Sequence, residues 1–338
     1  MSDIDVWPYA LAMSKAWVTA KGRISVRRGF VVQIGESFGD AAPMPGARNG
    51  ELATIHEQLL RPRTTGRFHP NGPARHALLQ AGLCDRARLA GMSLGALLGE
   101  RDGRTPRSIV LTNATIPILS TAATVRQAKA EIKKGCRTIK LKVSGRPGEI
   151  RRVAHVRDAI GPHIALRLDP NGAWDIKTAL DRLERLEGLA IQYVEQPIKP
   201  GRPNTFLELA GRSPIPIAPD EDVSSLASLQ TLLAENVLEF VVLKPMLLGG
   251  PDLAMDAIIA VEEAGAIPVV TDVVESGIGR AGALHVASLT KDATVSHGLA
   301  SGTFLRTDLV DPPLVPRRAT LRTPSRPGLG VKVWRMNR

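Results

Sequence analysis

Residues 165–197 read ALRLDPNGAWDIKTALDRLERLEGLAIQYVEQP. A short apolar run rich in β-branched and aliphatic residues ends in an acid, Asp169. A turn follows, then a stretch with apolar residues at helical spacing that stops at Gly188, and a second apolar run ending in another acid, Glu195. Glycine at the end of a helical stretch is the usual left-handed stop. Strand, helix, strand within so few residues predicts two parallel strands joined by a crossover helix.

The same alternation extends in both directions. Upstream lie SIVLTNATI (108–116) and TIKLKV (138–143); downstream lie IPIAPD (215–220), EFVVLKP (239–245), IPVVTD (267–272) and TVSHGL (294–299). Helical stretches separate most of them, among them VRQAKAEIKKG (125–135), EIRRVAHVRDAIG (149–161) and DLAMDAIIAVEEAG (252–265). Seven or eight such units in about 190 residues fit a closed α/β barrel better than an open doubly wound sheet. Three zones are expected: 1–105, mixing strands (VVQIGES, 31–37) with helices (50–60 and 73–91); the barrel, 106–304; and a Pro- and Arg-rich tail, 305–338, whose closing GLGVKVW is expected to return as a strand to the first zone.

A barrel of this kind gathers its chemistry at the C-terminal ends of its strands. Asp169, Glu195 and Asp220 each close a strand there, the third to fifth in order, and adjacent strands lie about 5 Å apart, so the three carboxylates are expected to converge on one ion. One such acid alone is more simply a helix cap or a loop ion pair; three at matched strand ends point to metal ligation. All-oxygen ligation without His or Cys favours Mg²⁺, with Mn²⁺ possible, over zinc. Lys140 and Lys142 alternate along one strand, so both side chains point to the same side, into the barrel if Leu141 faces the helices. Lys244, placed two strands beyond the last acid, is expected to face Lys142 across the mouth. A base on each side of a metal-held carboxylate is the arrangement that removes a proton α to that carboxylate. A strand-end lysine can also simply reach solvent, but the placement of both relative to the acids argues for chemistry.

Bulk properties bound the alternatives. The chain has 338 residues, 43% hydrophobic, with a formal charge of +11. No apolar run approaches membrane-spanning length. The N-terminal MSDIDVWPYALAMSKAW lacks a basic region and a long apolar stretch, so no signal peptide and a cytoplasmic location are expected. Two cysteines, Cys84 and Cys136, give neither a disulfide framework nor zinc spacing. The positive charge invites a nucleic-acid reading, but only 4% of residues are aromatic and the arginines are scattered; a solvated basic surface is the expectation, with no nucleic-acid or membrane partner. Gly249–Gly250 lacks a phosphate-loop frame and reads as a turn. His155, His285 and His297 lack metal spacing and read as packed or surface histidines.

KLK (140–142), LDPNGAW (168–174), VEQP (194–197), PDE (219–221) and LKP (243–245) together resemble the enolase superfamily, within its muconate-lactonising subgroup. FGDAAPMPG (38–46), DVVESGIGRAG (272–282) and RPGLGVKV (326–333) are similar to o-succinylbenzoate synthases in particular. The resemblance implies a (β/α)7β TIM-like barrel with an α+β capping domain built from the N-terminal region and the C-terminal tail. It implies that Asp169, Glu195 and Asp220 bind Mg²⁺, with Glu221 and Asn171 supporting them, Asn171 also near the substrate. It implies that Lys142 abstracts the α-proton of a cyclohexadiene carboxylate, which then loses water to give an aromatic ring, a step of menaquinone synthesis. Lys244 would stabilise the enolate and Lys140 would touch the substrate carboxylate and tune Lys142. Ser276 and Gly277 would offer backbone N–H groups to a second carboxylate, and Pro43 to Gly46 would lie over the pocket. The same residues serve racemases of N-acyl amino acids, dipeptide epimerases and muconate-type cycloisomerases, so these stand as alternatives.

Overall fold

A computed structural model describes residues 4–19, 22–46, 49–60 and 72–334. The N-terminal zone is an antiparallel sheet of β1 (Ile4–Thr19), β2 (Gly22–Ile34) and β3 (Ser37–Ala41), followed by helices α1 (Asn49–Leu60), α2 (Gly72–Leu89) and α3 (Leu94–Gly99). The single strand expected at 31–37 is the corner of a hairpin, because the chain turns at Gly35, whose φ of 58° is the left-handed conformation glycine adopts without a Cβ clash. Helix α2 packs hard on β3: a Cβ on Gly39 would stand 1.9 Å from the Ala77 carbonyl oxygen.

From β4 (Ile109–Leu111) and β5 (Ala114–Ile116) onward, strand and helix alternate as the sequence predicts. The series runs α4 (Thr121–Lys133), β6 (Thr138–Lys142), α5 (Glu149–Ile160), β7 (Ala165–Asp169), α6 (Ile176–Leu186), β8 (Ile191–Glu195), α7 (Pro203–Arg212), β9 (Ile217–Ala218), α8 (Leu226–Leu233), β10 (Phe240–Leu243), α9 (Pro245–Leu248), α10 (Pro251–Glu263), β11 (Ile267–Val270) and α11 (Gly277–Ala287). Strands β5 through β9 pair in parallel in that order, and β10 pairs in parallel with β11. The ring is completed by Val242 donating to the Pro219 carbonyl (3.0 Å), and by segment 297–298, which bridges Thr112 on one side and Thr271 on the other. The eighth run, TVSHGL, therefore closes the barrel through isolated bridges rather than as a regular strand. Every residue of β10 is buried, as expected where helices cover one face and barrel side chains fill the other.

The surrounding helices start where the sequence caps them. Asp175 opens α6 by accepting from the Thr178 amide at 2.7 Å, and Ser120 opens α4 in the same way. Helix α11 is buried along its whole length, between the barrel and the N-terminal layer. Its glycines permit that: a Cβ on Gly279 would lie 2.6 Å from Glu275 Cγ and 3.0 Å from Asp40 Oδ2.

The tail does return to the first zone, but not by the expected strand. Gly328 bridges Ser93 and exchanges backbone hydrogen bonds with Met92 and Leu94. Strand β12 (Val310–Asp311) pairs with β14 (Lys332–Val333) within the tail itself, and β13 (Thr320–Arg322) pairs with β4. Among the described residues, no helix is long and apolar enough to cross a membrane.

Candidate active site

Five charged side chains meet at the C-terminal mouth of the barrel, delivered by five neighbouring strands. Register fixes their heights: Lys142 pairs with Asp169 across β6 and β7, and Glu195 with Ala218 across β8 and β9. Lys244 follows β10, the strand next to that of Asp220, so it lies one strand nearer the acids than the sequence suggested. Because side chains alternate along a strand, Leu141 turns to the helices and is fully buried, while Lys140 and Lys142 both reach the interior.

The ammonium groups bind the carboxylates directly. Lys142 Nζ is 2.5 Å from Asp169 Oδ2 and donates to Asn171 Oδ1 at 2.7 Å. Lys140 Nζ bridges Asp169 Oδ2 (2.9 Å) and Glu195 Oε1 (2.7 Å), and Lys244 pairs with Asp220 Oδ1. One ammonium touching two acids places those acids within a few ångströms of each other. Asn171, in the left-handed conformation at φ 50°, donates its amide to Asp169 Oδ1 (3.0 Å) and its side chain to Glu221 Oε1 (3.4 Å).

Burial and charge pull the titrations apart. Burial pushes the carboxyls of Asp169, Glu195 and Asp220 upward; at Asp169 the attraction of Lys140 and Lys142 outweighs it and holds the group well below the usual range. Glu195 is raised to about 7 by burial and by the nearby Asp169 charge, with Lys140 offsetting part of the effect. Asp220 is raised by burial, against the pull of Lys244. For Lys140 and Lys244 burial works downward, but the acids win, so both ammonium groups are stabilised: by Asp169 and Glu195 for Lys140, and chiefly by Asp220 for Lys244.

The arrangement is compatible with a divalent cation. Glu195 Oε2 and Glu221 Oε2 are buried and have no hydrogen-bond partner among the described residues, which is costly unless something else satisfies them. The donor set is all oxygen, as Mg²⁺ prefers. Among the described residues, no three acids, histidines or cysteines already stand as a metal-holding cluster; each of Asp169, Glu195 and Asp220 holds an ammonium instead.

A cavity of about 130 Å³ opens over these groups, lined by the five charged residues, Lys140, Asn171 and Glu221 among others. Its remaining wall includes Met44 and Pro45 from the capping layer, Val273 and Val274 from the loop after β11, and Phe304. Several expected contacts are corrected here. Pro43 and Gly46 flank the lining residues without joining them; the Pro43 carbonyl is turned to Arg27 (2.7 Å). Ser276 and Gly277 do not line the cavity, and their amides are already engaged, Ser276 with Asp40 Oδ2 (3.0 Å) and Gly277 with Asp308 Oδ1 (2.5 Å). Neither has an amide left for a substrate carboxylate.

Gln196 is the residue the sequence reading passed over. Fully buried at φ 40°, it accepts from the backbone of Asp220 (2.9 Å) and Asp222 (3.3 Å) and donates to Asp222 Oδ2 (2.7 Å) and the Ile198 carbonyl (3.0 Å). It thereby fixes the acid of one strand from the end of another. Its place directly after Glu195 in VEQP was the available signal.

Residues 123–336 match the Enolase C-terminal domain-like family. The chain belongs to that family. An o-succinylbenzoate synthase of Thermobifida fusca is 33% identical over 219 residues, covering 64% of this chain and 67% of that protein. A chloromuconate cycloisomerase of Pseudomonas putida is 27% identical across 92% of this chain and 88% of its own length. An L-Ala-D/L-Glu epimerase of Bacillus subtilis is 26% identical across 72% of this chain and 66% of its own. Its substrate-liganded crystal structure superposes with a TM-score of 0.85 at 22% identity, covering 98% of each chain. Muconate lactonizing enzyme from Pseudomonas fluorescens superposes at 0.86, covering 98% of this chain and 96% of the other, also at 22% identity. The fold is the TIM-like barrel with an N-terminal capping domain, and the protein is an enzyme of the enolase superfamily.

Proposed function

We propose that this protein dehydrates a cyclohexadiene carboxylate to o-succinylbenzoate, as a Mg²⁺-dependent carbon–oxygen lyase. The observation that carries the reading is the pair of lysines, Lys142 and Lys244, set on either side of three buried acids at the mouth of one cavity. The sequence likeness to the Thermobifida fusca synthase supports the choice of reaction.

Asp169, Glu195 and Asp220 would hold the cation, with Mn²⁺ able to substitute. When bound, it supplies a fixed positive charge that polarises the substrate carboxylate and lowers the cost of negative charge beside it. Lys142, aligned by its hydrogen bond to Asn171 Oδ1, faces the cavity as the base. It takes the α-proton. The electron pair left on carbon moves into the ring as the neighbouring C–O bond breaks, and the proton Lys142 has taken passes to the departing hydroxide, so water leaves and the amine is restored. Lys244 keeps its proton and stabilises the negative charge that develops on the carboxylate side. Lys140, bridging Asp169 and Glu195, holds those acids in place and presents charge to the anionic substrate. Asn171 keeps Lys142 and Glu221 aligned.

A second reading uses the same residues. With Lys244 returning the proton to the face opposite Lys142, the site would racemise an N-acyl amino acid or epimerise a dipeptide. The matched flanking of the acids by two lysines favours that chemistry equally, and the relatives include such epimerases. A muconate-type cycloisomerase is a third use of the pair. The deciding experiment incubates the purified protein with Mg²⁺ and either the cyclohexadiene carboxylate or a panel of N-succinyl amino acids. Appearance of the aromatic product supports the lyase. Deuterium uptake at the α-carbon with loss of optical activity, and no aromatic product, would replace it with the racemase.

A further inference from the structure

The apolar wall of the cavity is assembled from two pieces of chain that belong to different layers. Met44 and Pro45 come from the capping loop, and Val273 and Val274 from the barrel loop after β11. Arg27, on β2, touches the backbone of both. It is 4% exposed, and its guanidinium donates from Nη2 to the Pro43 carbonyl (2.7 Å) and the Val273 carbonyl (3.1 Å), and from Nε to the Val274 carbonyl (3.0 Å). A guanidinium offers donors in a rigid planar fork, so three carbonyls gripped by one fork are held at fixed spacing.

The surroundings reinforce the grip. Asp40, also fully buried, receives the Ser276 amide (3.0 Å) and hydroxyl (2.6 Å) one turn further along the same barrel loop, and Tyr9 at 2.9 Å. Glu275 accepts from the Val273 amide. Ala42, Met246 and Val273 form a buried apolar cluster against which Met44 and Leu247 pack, next to Lys244 in the chain. The capping loop and the barrel loop are thus fastened at the level of the pocket by one buried cation with three carbonyl acceptors. Geometry, not charge neutralisation, is what such bonds supply.

We infer that Arg27 is a positioning residue for the substrate wall, fixing the spacing of Met44–Pro45 against Val273–Val274 and so setting how well the pocket grips the apolar part of its substrate. This rests on the reading of the cavity as the active site. Arg27 touches neither the acids nor the lysines in the hydrogen bonds it makes, so its removal separates binding from proton chemistry.

The test compares Arg27→Met, of similar length without donors, and Arg27→Lys, which keeps the charge but only a single donor nitrogen, with wild type. For Arg27→Met, KM for the cyclohexadiene carboxylate is expected to rise about tenfold or more while kcat changes less than about threefold. Amide exchange over residues 42–46 and 273–276 should quicken by about tenfold, with the amides of β6, β7 and β8 unchanged. Arg27→Lys should recover part of the KM; it carries the same comparison if Arg27→Met does not fold. Unchanged KM together with unchanged exchange in the two loops would overturn the inference, as would an equal loss of protection throughout the barrel strands, which marks a general structural role. If wild type turns over no carboxylate while the two loops still loosen selectively, the proposed reaction fails and the assignment of Arg27 stands.

Discussion

At the residue scale, the acids and lysines could be placed from sequence because strand parity is strict. In KLK the middle leucine faces the helices, so the two lysines must share the other side, and the structure has Leu141 fully buried with Lys140 and Lys142 on the acids. Ser276 and Gly277 could not be assigned in the same way. Their amides are taken by Asp40, 236 positions away from Ser276, and by Asp308, and no local pattern announces such partners. Lys142→Ala is expected to lower kcat by about a thousandfold, the scale of a lost general base, while the melting temperature moves by only a few degrees; near-wild-type turnover would remove Lys142 as the base. Lys244→Ala should cost as much activity and also leave Asp220 buried without its ammonium partner. Its stability should fall further than that of Lys142→Ala, as thermal unfolding of the two variants side by side would measure.

At the element scale, strand and helix order was legible while element ends were not. The hairpin corner at Gly35 sits inside an apolar run that reads as one strand, and the eighth barrel run makes bridges without a regular ladder. The Gln196 side chain joins the ends of β8 and β9 by four hydrogen bonds to buried partners. Gln196→Ala is expected to destabilise the fold by about 3 kcal/mol, since unpaired buried polar groups cost about 1–3 kcal/mol each, and to weaken cation binding through Asp220; urea denaturation and a metal titration check both. His285, on α11, accepts from the Gly95 amide (3.1 Å) and donates to the Leu329 carbonyl (3.1 Å), tying α3, α11 and the tail together. Burial lowers it to about 4, below the ordinary histidine value near 6.5, with the Leu329 contact working the other way. A depressed folded value means the unfolded chain binds the proton first, so the stability this histidine contributes is present above pH 6.5 and is lost as pH falls toward 4. His285→Leu should therefore show a shallower loss of stability between pH 6.5 and 4 than wild type, by up to one proton in the linkage slope. An unchanged slope would assign the acid sensitivity to other groups.

At the scale of the whole molecule, a closed parallel barrel explains why acids so far apart in sequence, at 169, 195 and 220, share one mouth. The capping layer was legible as a separate zone, but its fastening to the barrel was not, because Arg27 acts through the carbonyls of Val273 and Val274, whose positions no side-chain pattern reveals. The net charge of +11 is consistent with an anionic small-molecule substrate and is not what positions the site. Removing divalent cations by chelation should abolish turnover, and Mg²⁺ or Mn²⁺ should restore it; activity indifferent to chelator would contradict a metal role. The most direct test of the account is a calorimetric titration of the metal-free protein with Mg²⁺, alongside Asp169→Asn and Glu195→Gln. The account predicts one ion bound per chain by wild type and at least about tenfold weaker binding by each variant. Undiminished binding by both variants, or no binding by wild type, would contradict it.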